Sequence, residues 1–272
     1  MNVRAALSGF CLFLLTNVAG GAQVQDLPNA TDEHGGFGLP DQRGGRLLLI
    51  PRLARPELMT AALCGGGRRV AVHFEGRQVE EANNNGRQTS YNFEKLAGSV
   101  FTVLGNNVDS GAPCFIASDA LLAERAVLGV AAPEGSGACL QRSRFATLRD
   151  RRVVHCWPIG RMASEKHVAL LEFDRRGKDA LASLVFVDGA RTVFADYPAE
   201  FLGAGQDLWR VGDGGVLSPE GIRVVCALQR GEWYALGIAW AGGEGQLLSL
   251  WISERSDRFT KVINDYWYQA PI

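Results

Sequence analysis

The sequence predicts an all-β protein that ends in one amphipathic helix. Short apolar runs of strand length recur along the chain, and Gly, Asn, Asp or Pro residues separate them, which is typical of strands joined by turns. Strands at this spacing favour a sandwich or a pair of barrels. The runs are Leu47–Ile50, Val70–Phe74, Val100–Leu104, Val168–Phe173, Leu184–Val187, Ile222–Leu228, Tyr234–Trp240 and Leu247–Ile252.

The last segment has a different period. Between Ser256 and Trp267 the apolar side chains fall on one helical stripe, and Ser256 or Asp257 can cap the first turn. We therefore expect a C-terminal α-helix. Its stripe consists of Phe259, Val262, Ile263, Tyr266 and Trp267.

The N-terminal residues predict an exported protein. Arg4 precedes an apolar run and then small residues, the pattern of a secretory signal peptide over residues 1–22. The run is shorter than the roughly 20 residues of a membrane-spanning helix, so we expect a secreted, extracellular chain without a membrane span. Residues 23–43 are rich in Gly, Pro, Asp and Asn and should form an irregular arm, in which Asn29 begins a glycosylation sequon.

Charge and cysteine content narrow the function classes. The formal net charge is −1, and no basic stripe with interleaved aromatic residues is present, so a nucleic-acid partner is not expected. Five cysteines follow the signal peptide, and in an oxidising compartment they should pair and leave one thiol over. None has the spacing of a zinc site, and we expect neither a metal nor a cofactor. These cysteines are Cys64, Cys114, Cys139, Cys156 and Cys226.

The C-terminal third resembles trypsin-like serine proteases. Residues 212–217 read Gly-Asp-Gly-Gly-Val-Leu, where that family reads Gly-Asp-Ser-Gly-Gly-Pro. A strand ending in Cys226, a Gly-Ile-Ala-Trp strand at 237–240 and the predicted terminal helix follow in the family's order.

Weaker similarities precede this segment in the same order. Gly44–Leu48 resembles the family's Gly-Gly-Ser-Leu-Ile strand, and Thr60–Cys64 resembles its Thr-Ala-Ala-His-Cys segment. The resemblance implies a trypsin-like domain over residues 44–272, built of two packed six-stranded antiparallel β-barrels, chymotrypsin-like, with a C-terminal α-helix. Further matching stretches are Val70–Glu75, Ser118–Leu122, Ala138–Leu140 and Cys156–Arg161.

The same resemblance implies that the catalytic residues are lost. Serine protease chemistry needs a hydroxyl nucleophile, an imidazole base and a carboxylate that orients the imidazole. The nucleophile position holds Gly214 and the base position holds Leu63. The acid position holds Asp119, or Ser118 if no gap is introduced. The four histidines, none in the matching motif, are His34, His73, His155 and His167.

Other family features are altered as well. The amides of Gly212 and Gly214 would form a vestigial oxyanion hole, and Leu208 stands at the base of the specificity pocket, where trypsin itself has Asp. The resemblance implies a disulfide between Cys156 and Cys226. It leaves Cys64, Cys114 and Cys139 with one possible bridge among them.

These features are typical of the non-catalytic serine protease homologues of arthropods. The resemblance implies a secreted pseudoprotease that binds extracellular proteins, including proteases or their zymogens, as a cofactor or regulator of a proteolytic or immune cascade. One alternative is an active secreted serine endopeptidase with unaligned catalytic residues, for which Ser110 in Asp109–Pro113 is the nucleophile-like candidate. Another is a carbohydrate- or surface-binding structural protein.

Overall fold

The first half of the chain forms a closed antiparallel barrel. The computed structural model describes residues 34–163, 165–201, 203 and 217–270. The barrel order is β1-β2-β5-β4-β3-β6. Its strands are β1 (Gly36–Pro40), β2 (Arg46–Leu49), β3 (Met59–Cys64), β4 (Arg68–Gln78), β5 (Gly98–Leu104) and β6 (Cys114–Ser118).

Strand β2 is buried on both of its faces. Leu47 and Leu49 are buried in the barrel interior, while Leu48 between them is buried on the outer side against the second half. Successive strand residues point to opposite faces, so a strand buried on both faces reads as a continuous apolar run. The run Leu47–Leu49 therefore serves two cores at once.

The second half forms two five-stranded antiparallel sheets. One has the order β12-β11-β10-β9-β8 and the other β16-β15-β14-β13-β7. The first contains β8 (Val130–Ala131), β9 (Val153–Met162), β10 (Lys166–Phe173), β11 (Asp179–Asp188) and β12 (Arg191–Glu200). The second contains β7 (Ala126–Val127), β13 (Ile222–Arg230), β14 (Trp233–Ala241), β15 (Gly245–Glu254) and β16 (Thr260–Tyr268).

The two sheets share one apolar core and are joined along two sides. Leu170 and Val193 of the first sheet are buried in the same cluster as Leu236 of the second. Strands β7 and β8, which belong to different sheets, are separated by only two residues. On the other side, the amide of Phe194 in β12 donates to the carbonyl of Asp257 at 2.9 Å, just before β16 begins.

Short helices complete the described residues. The α-helices are α1 (Asp119–Leu122) and α2 (Arg142–Arg149), and the 3₁₀ helices are Pro56–Leu58, Ser90–Lys95, Gly137–Gln141 and Pro219–Gly221. None of the helices within the described ranges is long and apolar enough to cross a membrane. The predicted signal peptide, Asn29 and residues 23–33 of the predicted arm lie outside the described residues. The prediction of an irregular arm is wrong for Gly36–Pro40, which form the buried strand β1 of the barrel.

The all-β class is confirmed, but the predicted C-terminal helix is wrong. Residues 260–268 form strand β16, which pairs with β15. A bulge at Val262 shifts the register, so Ile263 pairs with Leu250 while Lys261 pairs with Trp251. Ile263 and Trp267 are four residues apart and lie on one face of the strand, a spacing that also fits a helical stripe. Phe259, which precedes the strand, is buried in a different cluster.

Candidate functional site

Leu63, at the position that resembles the general base, is sealed inside the protein. It lies near the end of β3, pairs with Arg69 of β4 and Phe115 of β6, and is 0% exposed. Its side chain belongs to the core that joins the barrel to the second half. An aliphatic group without solvent access can neither accept a proton nor meet a substrate.

Asp119, at the position that resembles the catalytic acid, is bound to an arginine. Its Oδ1 accepts a hydrogen bond from Nη2 of Arg69 at 2.7 Å, and both side chains are at least half exposed. Arg69 lies directly across from Leu63 in the β3–β4 pair. The Asp119 carboxylate is therefore held by a guanidinium group and not by an imidazole.

Ser118, the other residue considered for the acid position, is the N-cap of α1. Its Oγ accepts a hydrogen bond from the amide of Leu121 at 3.1 Å, which satisfies one of the free amides of the first turn. The geometry assigns Ser118 a local structural role.

Two of the described histidines lie beside carboxylates. Nδ1 of His155 lies 2.7 Å from Oε2 of Glu172, and its ring stacks on Trp157. His167 lies 3.7 Å from a carboxylate oxygen of Glu165, and His73 is exposed on β4. Within the described ranges, no hydrogen bond joins a histidine to a hydroxyl or a thiol. His34, half-buried, is the first described residue.

Ser110, the candidate nucleophile of the active-enzyme alternative, lies in a turn of the loop before β6. Oδ1 of Asp109 accepts from the amide of Gly111 at 2.9 Å and fixes that turn. Ser110 lines a cavity of about 230 Å³ together with Trp267 and Gln269. No histidine is among the described residues around this cavity, so no activated nucleophile is assembled there.

A groove of about 320 Å³ runs between the barrel and the second half. Apolar side chains and backbone form most of its wall, and the charged residues in it are Asp109 and Arg223. Gly66 of the first half lies close to Val130 of the second. A Cβ at position 66 would lie 2.6 Å from the carbonyl oxygen of Val130. The amide of Val130 donates to the carbonyl oxygen of Gly66 at 2.7 Å. The groove can hold apolar side chains of a partner, but it offers no acid and base pair.

An aromatic cluster that the sequence did not indicate lies in the core of the second half. The Tyr197 ring packs at 4.7 Å from Trp240 and 5.3 Å from Trp251, and Nζ of Lys261 lies 4.9 Å from the centre of the Trp251 ring. The Tyr197 hydroxyl is buried beside Ser249 and Trp251, which bond to each other at 2.9 Å. It has no well-formed hydrogen bond to any of the described residues.

Burial sets the protonation of this cluster. It raises the pKa of the Tyr197 phenol well above its usual range and lowers the pKa of Lys261. Tyr197 therefore stays neutral in the pH range of biology. The cluster combines residues of β12, β14, β15 and β16, so its members are distant in the sequence and only the strand pairing reveals it.

The disulfides differ from the predicted pairing. Cys156 bonds to Cys139, with a Cα–Cα distance of 5.7 Å, so the predicted Cys156–Cys226 bridge is wrong. The 3₁₀ helix that carries Cys139 packs on β9, which carries Cys156, whereas Cys226 is buried between the two halves of the molecule. Cys64 bonds to Cys114, and Cys226 is free, which confirms that one thiol is left over.

Three predicted site residues, Leu208, Gly212 and Gly214, lie outside the described residues. In the described ranges, no group of three or more His, Cys, Asp or Glu side chains could hold a metal ion.

Comparison with known proteins gives no match to a family model, to a curated protein or to a solved structure.

Proposed function

We propose that this chain is a secreted, catalytically inactive homologue of the trypsin-like serine proteases that acts by binding other extracellular proteins. The observation that carries the proposal is what surrounds Leu63 and Asp119, the two residues at positions that resemble the catalytic base and acid. The position that resembles the base is a leucine buried in the core, and the carboxylate that resembles its partner is held by Arg69.

The strand arrangement supports the proposed fold family. A closed six-stranded antiparallel barrel is followed by a second half of ten strands, whose two sheets share one core. The sheets are joined through β7 and β8 and through the bonds between Phe194 and the segment before β16. We propose that these connections make the second half the counterpart of the family's second barrel.

The lost base accounts for the inactivity. A serine hydroxyl attacks a peptide carbonyl only when a base removes its proton, and loss of the base alone costs about 10⁶ in rate in a serine protease with the same triad. With Leu63 in place of the imidazole, the remaining scaffold can bind a polypeptide without cutting it.

The groove and the disulfides support an extracellular binding role. The groove between the barrel and the second half is lined mainly by apolar groups, which suits the side chains of a partner. Two disulfides are consistent with an oxidising compartment. The expected partners are extracellular proteases or their zymogens, bound as by a cofactor or regulator.

A serine-directed fluorophosphonate probe tests the absence of activity. We expect no labelling of the purified protein under conditions that label trypsin fully. Labelling that disappears in Ser110→Ala would instead establish the active-endopeptidase alternative.

Capture from the extracellular fluid of the source organism tests the binding role. The bound fraction should be enriched in proteases or zymogens, and Ala132→Arg, which places a charge on the exposed rim of the groove, should reduce their recovery. A bound fraction free of proteases, zymogens and their substrates would reject the cofactor role. The carbohydrate-binding alternative stays a prediction, which a glycan array tests.

A further inference from the structure

One end of the second half carries a belt of arginines from separate parts of the chain. We propose that this arginine belt is a docking surface for a sulfated polysaccharide chain. The belt consists of Arg125, Arg144, Arg191, Arg230 and Arg255.

Contacts with shared neighbours place the first members side by side. Arg144 of α2 donates a hydrogen bond to the carbonyl oxygen of Ala190, the residue immediately before Arg191. Arg191 in turn donates to the carbonyl oxygen of Glu232, and to that of Ser256 at 3.2 Å. Arg144 therefore contacts the turn between β11 and β12, and the Arg191 guanidinium group reaches from the end of that turn to Glu232 and Ser256.

Arg125 is the next member of the arginine belt and lies against Trp233, the residue after Glu232. The guanidinium carbon of Arg125 lies 4.6 Å from the centre of the Trp233 ring, and Nη1 of Arg125 donates to the carbonyl oxygen of Leu121 at 2.6 Å. A cavity of about 700 Å³ opens beside this pair, and Arg230 and Arg255 also line it.

The partners of these arginines leave most of their charge uncompensated. Among the described residues, Arg125, Arg144 and Arg191 form no ion pair. Their hydrogen bonds to carbonyl oxygens are supplemented by one from Arg144 to the amide oxygen of Gln141. The Arg191 guanidinium group also lies 4.7 Å from the centre of the Tyr234 ring and bonds to its hydroxyl. A carbonyl oxygen fixes a guanidinium group but does not neutralise it. Three positive charges are therefore held in place on one surface.

Carboxylates offset the other two arginines. Arg230 pairs with Glu124 at 2.5 Å, and Nε of Arg255 lies 3.8 Å from Glu232. Glu254 also lines the cavity. The ligand must therefore approach mainly along the line from Arg125 to Arg191 and Arg144, with the cavity at one end of that line.

A sulfated polysaccharide fits this arrangement. Guanidinium groups bind tetrahedral oxyanions through two parallel N–H donors, and a row of fixed guanidinium groups matches the repeated charges of a linear polymer. The net charge of the whole chain is −1, so the attraction is local and no broad positive field favours nucleic acid. The disulfides place the protein where sulfated polymers are the available polyanions, a step that rests on the proposed secretion.

Heparin binding tests the proposal, with the triple variant Arg125→Gln, Arg144→Gln, Arg191→Gln. Each guanidinium group that meets the polyanion displaces about one counterion, so the slope of log affinity against log salt should fall by about two to three. Affinity at 0.15 M salt should fall by about tenfold or more. The triple variant Arg43→Gln, Arg52→Gln, Arg55→Gln makes the same change in charge on exposed barrel residues and should bind like the parent.

A matching lysine triple variant separates charge from folding. Lysine at positions 125, 144 and 191 keeps the charge and should keep most of the salt slope, while circular dichroism reports folding. Equal loss in the barrel control, an unchanged slope in the glutamine variant, or equally tight binding of polyglutamate or desulfated heparin would overturn the proposal. None of these results bears on protease inactivity, which the fluorophosphonate test decides separately.

Discussion

Cys226 and Gly237 face each other across strands β13 and β14, and the thiol occupies the space that a side chain at position 237 would need. A Cβ on Gly237 would lie 2.6 Å from Sγ of Cys226 and 3.5 Å from the Phe37 ring. This contact lies in the core that joins the two halves of the molecule.

Gly237→Ala should therefore destabilise the protein. Overpacking of a filled core costs about 1–3 kcal/mol, and we expect a loss of this size in urea unfolding. Gly129→Ala, at a glycine with open space around it, should change stability little. In the double variant Cys226→Ala, Gly237→Ala, part of the loss should be recovered, because the smaller side chain frees the space. Additive losses would show that the thiol is not the obstacle.

The free thiol of Cys226 should be unreactive in the native protein. Burial raises the pKa of Cys226 to about 12, and the thiolate is the nucleophilic form. In the chain without residues 1–22, which lacks Cys11, iodoacetamide at pH 8 should leave the native protein unmodified and add one group after unfolding without reductant. Mass spectrometry of the digest should find the label on Cys226 and a Cys139–Cys156 linked peptide. A Cys156–Cys226 peptide would restore the pairing that the family resemblance implies.

Parts of the fold follow from the sequence, and their limits have physical causes. The strand run around Leu48 was readable because it is apolar on both faces. The terminal strand was not, because the spacing of four between Ile263 and Trp267 fits one face of a strand as well as one face of a helix. The bulge at Val262 depends on the pairing with β15 and leaves no mark in the local sequence.

The candidate site was also predictable only in part. The absence of a proton-accepting group at Leu63 could be predicted from its side chain alone. The ion pair between Asp119 and Arg69 could not, because these residues are 50 positions apart and meet only through the pairing of β3 with β4 and β6. The arginine belt joins still more distant segments, so composition and local charge patterns do not indicate it.

Leu63→His should not restore a catalytic base. The imidazole would replace an aliphatic group in a fully buried site that lies in an apolar cluster. Loss of the apolar contacts and burial of an unpaired polar ring should cost about 3 kcal/mol of unfolding free energy. Leu63→Met, which keeps the side chain apolar and similar in volume, should cost less than about 1.5 kcal/mol. A histidine variant that is as stable as the parent would contradict the buried position of residue 63.

Asp265→Asn should stabilise the protein at neutral pH. Asp265 lies on β16, and its Oδ2 is buried without a hydrogen-bond partner among the described residues. Burial raises the pKa of this carboxyl above the unfolded value of 3.8, so the folded state holds its proton more tightly than the unfolded chain. The stability that this group contributes is therefore full below pH 3.8 and is lost as the pH rises through the folded pKa.

An amide at position 265 does not ionise, so it removes the loss of stability that accompanies ionisation of the buried carboxyl. We expect a gain of about 1 kcal/mol in the free energy of unfolding at pH 7, which is the scale of one unsatisfied buried polar group. The gain should shrink as the pH approaches 3.8, where the native carboxyl is also neutral. Asp257→Asn, at an exposed carboxylate, should show no such pH-dependent gain. Denaturant unfolding between pH 4 and pH 8 measures both, and a gain for Asp265→Asn that stays constant across this range would show that its cause is packing and not the buried charge.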